Sequence, residues 1–258
     1  MYMFSYLKNT PTVFATLIAS IAFLGAVVLG FNGLQSLRSL DKTISVTGSA
    51  DKIVESDSAK WSLAITRSVE TDGLKEGNAA LQSDVKKVID FLAAKGITGK
   101  SIERAPTETQ VVCFNSTDSN YDRFGNRICA SGGSYSLSSR IVVNTEMAKE
   151  IGDISQQATE NALSQNITVA NSNVEYFYNK LTDLRVELLG AATENAKLRA
   201  EQIAKSTGKS LGALQSASMG VFQVTSKQSV DFSDYGSYDT STFEKKVTAI
   251  VRTAFSLK

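Results

Sequence analysis

The chain has no histidine among its 258 residues, which leaves two cysteines, the lysines and 26 acidic side chains as the first places to look for chemistry. Losing imidazole removes Ser-His-Asp and Cys-His nucleophile activation and the usual zinc ligand sets. Lysine- or carboxylate-based catalysis stays open in principle, but no spacing points to it. The reading is therefore non-enzymatic, with no catalytic, cofactor-binding or metal-ligating residue assigned and no cofactor expected. Cys113 and Cys129 bracket CFNSTDSNYDRFGNRIC, a polar loop between two expected strands. Outside the cytoplasm, two cysteines so placed oxidise to a structural disulfide. Closing such a loop stabilises by about 3 kcal/mol in the loop-closure picture. A redox-active pair is the alternative, and unpaired thiols are a third. Active pairs use C-x-x-C at a helix start, a device this spacing lacks.

Asp118-x-Asn120-x-Asp122 resembles the first half of a calcium loop, but Arg123 replaces the glycine and Cys129 the bidentate glutamate that such a loop requires. A solvated turn is the simpler reading. Asp231, Asp234 and Asp239 fall in DFSDYGSYDTS, a long polar loop whose interleaved Phe232, Tyr235 and Tyr238 form a candidate interface for a partner. Ser131-Gly132-Gly133-Ser134 has neither the P-loop lysine nor dinucleotide spacing, and reads as a hairpin turn.

The elements that would position these residues follow from periodicity. Asp41–Gly48 and Ser58–Thr66 alternate and predict two antiparallel strands around a turn near Ala50–Ser56. A helix follows over Asp72–Lys95, its inner face carrying Leu74, Leu81, Val85, Val88 and Leu92, and Gly96 stops it. Ile102–Phe114 reads as extended and Tyr135–Val143 as a strand. Met147, Ile151, Ile154, Ala158 and Ala162 mark a second helix, and Ile167–Tyr178 returns to strand. A third helix lies within Leu181–Gly212. Its expected inward stripe is Leu184, Leu188, Ala191, Leu198 and Ile203, beside a smooth ridge of Ala192, Ala196, Ala200 and Ala204. Glu201 and Lys205 are spaced as an i,i+4 pair, and Gly208 stands where a C-terminal stop belongs. Val221–Val224 and Val247–Leu257 close the chain as strands. Paired strands with one-sided alternation predict an α+β fold of antiparallel sheets with helices packed on one face.

Charge and hydropathy set the setting. From Asp41 onward 25 basic residues meet 26 acidic ones, a net of −1, which excludes the clustered basic surface of a nucleic-acid binder. Lys86-Lys87 and Lys245-Lys246 read as solvated faces. Between Lys8 and Arg38 no residue is charged, and Thr12–Phe31 is almost wholly apolar. Twenty such residues span roughly 30 Å of bilayer hydrocarbon. The expectation is a cytoplasmic segment 1–11, a transmembrane anchor 12–33, a linker 34–40 and an exported domain 41–258. A cleaved signal peptide, giving a secreted or periplasmic protein, is the alternative.

Ala192-x-x-Asn195-Ala196-Lys197-x-Arg199-Ala200-Glu201-x-Ile203-Ala204, followed by Gly208 and Leu211-Gly212, resembles the signature helix of the SIMPL-domain family. The resemblance runs from about Lys42 to Lys258 and takes in Ile44-Ser45-Val46-Thr47-Gly48, Tyr135–Asn144 and Lys245–Leu257. This chain has Asn195 where the family more often has aspartate. The family groups bacterial envelope and secreted proteins, including the periplasmic immunogenic proteins, and has no established catalytic residues. The resemblance implies an envelope compartment and, together with the cysteines, orients the anchor with its C-terminal domain outward, giving a single-pass inner-membrane protein with that domain in the periplasm. That domain would act by homo-oligomeric assembly or by binding a protein partner, in envelope or oxidative stress resistance. A small-molecule or ion-binding module, and an enzyme of unrecognised type, are the alternatives.

Overall fold

Strands β1 (Thr43–Glu55) and β2 (Ser58–Glu70) are consecutive, yet they belong to different sheets. The expected hairpin between them is corrected. β1 runs on through the supposed turn to Glu55, because its partner is β13, the last strand, and the chain turns only at Ser56 and Asp57. There the backbone amides find carbonyls far along the sequence, Ser56 N donating to Phe243 O and Asp57 N to Phe177 O, both at 3.0 Å. The structure is a computed structural model. It describes residues 16, 18–27, 43–70, 72–114, 119–121, 123–125, 127–129, 132–230, 233 and 235–258.

After β2 come α1 (Leu74–Ala94), β3 (Ile102–Arg104), β4 (Glu108–Cys113), the short strands β5 (Ser119–Tyr121) and β6 (Arg127–Cys129), and β7 (Gly133–Thr145). Then follow α2 (Ile151–Ser164), β8 (Thr168–Asn171), β9 (Glu175–Phe177), α3 (Leu181–Ser206), β10 (Leu211–Met219), β11 (Gln223–Ser226), β12 (Ser237–Tyr238) and β13 (Glu244–Leu257). The fold is α+β. Residues divide into a larger compact unit, Asp51–Leu188 with Val221–Thr248, and a smaller one that includes 43–50, Leu189–Gly220 and Ala249–Lys258.

In the larger unit the central pair is β2 with β7, antiparallel from Ala59↔Thr145 to Glu70↔Ser134. β3 and β4 extend the sheet beyond β7, and β8 and β9 extend it beyond β2, all antiparallel. Odd positions of the central pair share one face, so Trp61, Leu63, Ile65, Leu137, Ile141 and Val143 are buried together. Leu81, Val85, Val88 and Leu92 of α1, with Ile151, Ile154, Ala158 and Ala162 of α2, close over them as one core. Leu74, expected inward, is 37% exposed, because it sits at the very first turn of α1. The N-terminal part of β13 pairs with β11, and β11 pairs in parallel with the two-residue β12, so that sheet is mixed rather than purely antiparallel.

In the smaller unit a short sheet packs against α3. The C-terminal part of β13 has β1 on one side and β10 on the other. β10 was not expected from the sequence: its residues LGALQSASM show no apolar alternation, and most of them are exposed on both faces. Helix α3 buries a strict four-residue ridge, Ala192, Ala196, Ala200 and Ala204. Of the wider stripe, Leu184 and Leu188 are buried as expected, and Ala191, Leu198 and Ile203 are corrected to exposed. Only small side chains fit inward where the backbone of a strand comes so close.

Residues 18–27 are helical, with Ile18, Ile21, Phe23, Leu24 and Val27 exposed. Among the described residues no helix is long and apolar enough to cross a membrane. The rest of the expected anchor, at 12–15, 17 and 28–33, lies outside the described residues, as do the expected segments 1–11 and 34–40.

Candidate functional site

In the smaller unit the signature residues of α3 grip β1. A Cβ on Gly48 would lie 2.2 Å from the Ala192 carbonyl oxygen and 2.4 Å from the Ala196 nitrogen, so only glycine fits there. Either side of it, Arg199 Nη1 donates to Thr47 O at 3.0 Å, and Ser49 N donates to Asn195 Oδ1 at 3.3 Å. The contact at Asn195 asks for an acceptor oxygen, which aspartate also supplies, so no charge is needed at that position. Val46 and Phe255 pack against Ala196 and Ala200 to complete this small core. The helix ends as Gly208 predicts. At φ +70°, its amide reaches Lys205 O while Lys209 N reaches Ala204 O, the paired closure of a Schellman motif. Glu201 pairs with Lys197 at 4.0 Å, rather than with Lys205 as expected.

The larger unit holds a different kind of site. Lys245 was expected in a solvated face and is instead fully buried. It shares parity with Val247 and Ala249 on β13, and this alternation places its side chain inward with theirs. Its Nζ donates to Asp239 O at 2.6 Å and Thr242 O at 2.9 Å, and lies 3.6 Å from Asp239 Oδ2. Burial pushes the lysine below its usual range, and the Asp239 carboxylate partly restores it. Burial alone would raise Asp239. Hydrogen bonds from Ser241 and Thr242 and the charge of Lys245 outweigh it and hold the carboxyl at about 2. A buried ammonium with its donors directed at fixed carbonyls cannot reach a substrate, so this lysine positions backbone.

What it positions is the loop before β13. Gln223, also buried, donates to Ser233 O at 2.6 Å and accepts from Ser237 Oγ at 3.1 Å. Lys246 Nζ donates to Ser229 O at 2.6 Å, and Lys227 pairs with Glu244 at 2.9 Å. Of the three aromatic residues expected at an interface, Tyr235 is 96% exposed. Tyr238 is less free: its ring lies 6.0 Å from Lys245 Nζ, and its hydroxyl accepts from Tyr178 N at 3.3 Å. Phe232, Asp231 and Asp234 lie outside the described residues.

Cys113 and Cys129 form the expected disulfide, with Cα atoms 5.2 Å apart. It joins the end of β4 to β6, which among the described residues pairs with β5 alone as a two-stranded hairpin. Such a hairpin is marginal alone, and the crosslink compensates. Asp118 and Asp122 of the partial calcium pattern lie outside the described residues. Among the described residues no three potential ligands cluster to hold a metal.

An open cleft of about 720 Å³ lies at the ends of β2 and β7. Its lining includes Ser58, Asn144, Thr145 and Asn179, and its ionisable residues are Lys60 and Glu146. Nearby, the Asp57 carboxylate accepts from Asn179 N at 3.0 Å and Asn179 Nδ2 at 2.9 Å, tying the loop before α3 to the turn between β1 and β2.

A family model, SIMPL, described as a protein of unknown function, matches residues 44–254. The match starts within β1 and ends within β13, so it spans both folded units. The chain belongs to the SIMPL family. No curated protein matches it.

Proposed function

We propose that this SIMPL protein is a non-enzymatic, membrane-anchored component of a bacterial cell envelope. An N-terminal anchor at 12–33 holds domain 41–258 on the periplasmic side, where it works by self-assembly in envelope or oxidative stress resistance. The observation that carries the assembly reading is β10. Seven consecutive residues of this paired strand, Ala213–Met219, are exposed, an arrangement suited to burial by a partner surface. The anchor reading is supported by the uncharged run between Lys8 and Arg38 and by the exposed apolar side chains of Ile18, Ile21, Phe23, Leu24 and Val27. Anchoring raises the effective concentration of the domains, so modest contacts suffice for assembly.

The test is the mass of the detergent-extracted full chain by light scattering over a wide concentration range. A discrete multimer is expected, and a monomer throughout would remove the assembly reading and leave binding of a different protein partner in its place. Intact mass should show the N-terminal segment retained. Protease added from the periplasmic side should digest 41–258, and protection there would reverse the orientation.

A further inference from the structure

We infer that the outer edge of β10, unpaired among the described residues, pairs with the same edge of a second copy, across a two-fold axis centred on Ser218. This rests on the assembly reading above and names the surface that performs it. The small sheet of the smaller unit has two edges, and they are treated differently. On an edge strand, residues of one parity turn amide and carbonyl away from the sheet, leaving a template for another strand. On β1, Thr47 and Ser49 share a parity, and Arg199 and Asn195 of α3 occupy the carbonyl of the first and the amide of the second. Charged residues continue that strand at Asp51, Lys52 and Glu55. This edge is blocked by backbone capping and by charge.

β10 has neither device over its regular part. Among the described residues its only strand partner is β13. No charged residue lies between Lys209 and Lys227, and no proline interrupts it. Irregularities in register fall between Leu211 and Ser216, and they protect that half by bending it. Ser216–Met219 then runs in unbroken register, against Ala254, Thr253, Arg252 and Val251. Gly220 N donates to Ile250 O at 2.9 Å, so even-numbered positions face β13 and Ala217 and Met219 turn their backbone groups outward.

A second copy is the occupant that these features fit. An edge with no charge meets no like charge when it meets itself, and Ala217 and Ser218 are small enough to pass at the dyad. Antiparallel pairing about Ser218 matches Ala217 of one copy with Met219 of the other and forms about four backbone hydrogen bonds. With the β1 edge blocked, such pairing closes as a two-fold dimer instead of growing into a filament.

The experiment uses the full chain in mild detergent. Ser218→Lys places like charges opposite each other at the dyad without touching a buried group. It should weaken self-association about tenfold or more. Ala217→Pro removes an outward amide and no bond to β13, and should do the same. Ser218→Cys should form a covalent dimer on mild oxidation. Its self-pair lies about 4.5 Å apart between Cα atoms, within disulfide reach, and the parent has no free thiol to compete. Unchanged assembly in Ser218→Lys and Ala217→Pro, with no crosslink in Ser218→Cys, would overturn the edge pairing while leaving assembly itself intact. A parent chain that is monomeric at every concentration would overturn both.

Discussion

The smaller unit and the loop before β13 solve one problem, holding a long segment of backbone in place, by opposite means. In the smaller unit the means is shape: a glycine on β1 lies against an alanine ridge on α3, with no room for one added carbon at Gly48. In the larger unit it is charge: a buried lysine and its aspartate organise 239–245 through carbonyls and hydroxyls. Shape-based packing is insensitive to pH and intolerant of volume, whereas a buried ion pair tolerates neither loss of its partner nor a change in its protonation. Neither arrangement leaves a reacting group pointed at solvent.

The comparison breaks most sharply at Gly48. Gly48→Val drives a branched side chain into the backbone of α3, and should cost about 3 kcal/mol or more. Hydrogen exchange should show the loss concentrated in 43–50, 189–220 and 249–258. A parent-like urea midpoint would mean the helix and strand are not in contact as described. Lys245→Met keeps the volume and strands Asp239 with two carbonyls, and should cost about 3 kcal/mol, read from the same midpoint. Unfolding confined to 223–248 would mark it as a local clamp.

Replacing Cys113 and Cys129 with serine should cost at most about 3 kcal/mol and loosen the β5–β6 hairpin while the core of β2, β7, α1 and α2 stays folded. Proteolysis within 114–128 would then appear before any change in the near-ultraviolet spectrum, and simultaneous loss of both would show that the hairpin supports the core.

Acid provides a smaller contrast. Asp239 has its folded pKa held down at about 2. Its contribution is therefore complete above about pH 4, the usual unfolded aspartate value, and disappears as pH falls through 2. Stability of the parent should decline over that window more steeply than in Asp239→Asn, and equal slopes would detach the carboxylate from the clamp. Smallest of all, Asn195→Ala should cost about 1 kcal/mol through the lost bond to Ser49 N, while Asn195→Asp keeps the acceptor and should change stability by less than about 0.5 kcal/mol. If aspartate proves as damaging as alanine, the acceptor account of that position fails.

Much of the architecture is legible in the sequence. The alternation of Ala59, Trp61, Leu63 and Ile65 reports its own buried face, and the four-residue alanine spacing of α3 reports a close neighbour. Cys113 and Cys129 were readable as a pair because a polar loop between strands leaves them few other roles. The candidate site was less legible. Lys245 had a signal that composition overrode: it continues the inward parity of Val247, Ala249 and Val251, but a Lys-Lys pair reads as surface. Asn195 and Arg199 carried no periodic signal at all, since they act on backbone atoms of a strand some 150 positions earlier.

The amino-acid sequence alone determined the local choices: which segments alternate, which face of each is apolar, where helices stop, and which residues carry the SIMPL signature. These depend on neighbours a few positions apart, which any reader of the chain can see. Tertiary structure decided partnership. It sent β1 to β13 rather than to adjacent β2, and it turned the unpatterned 211–219 into a strand by offering it the free side of β13. It also buried Lys245 by bringing the carbonyls of Asp239 and Thr242 to its ammonium. A backbone hydrogen bond carries no side-chain code, so pairing between distant strands is set by which edges the rest of the fold leaves unsatisfied.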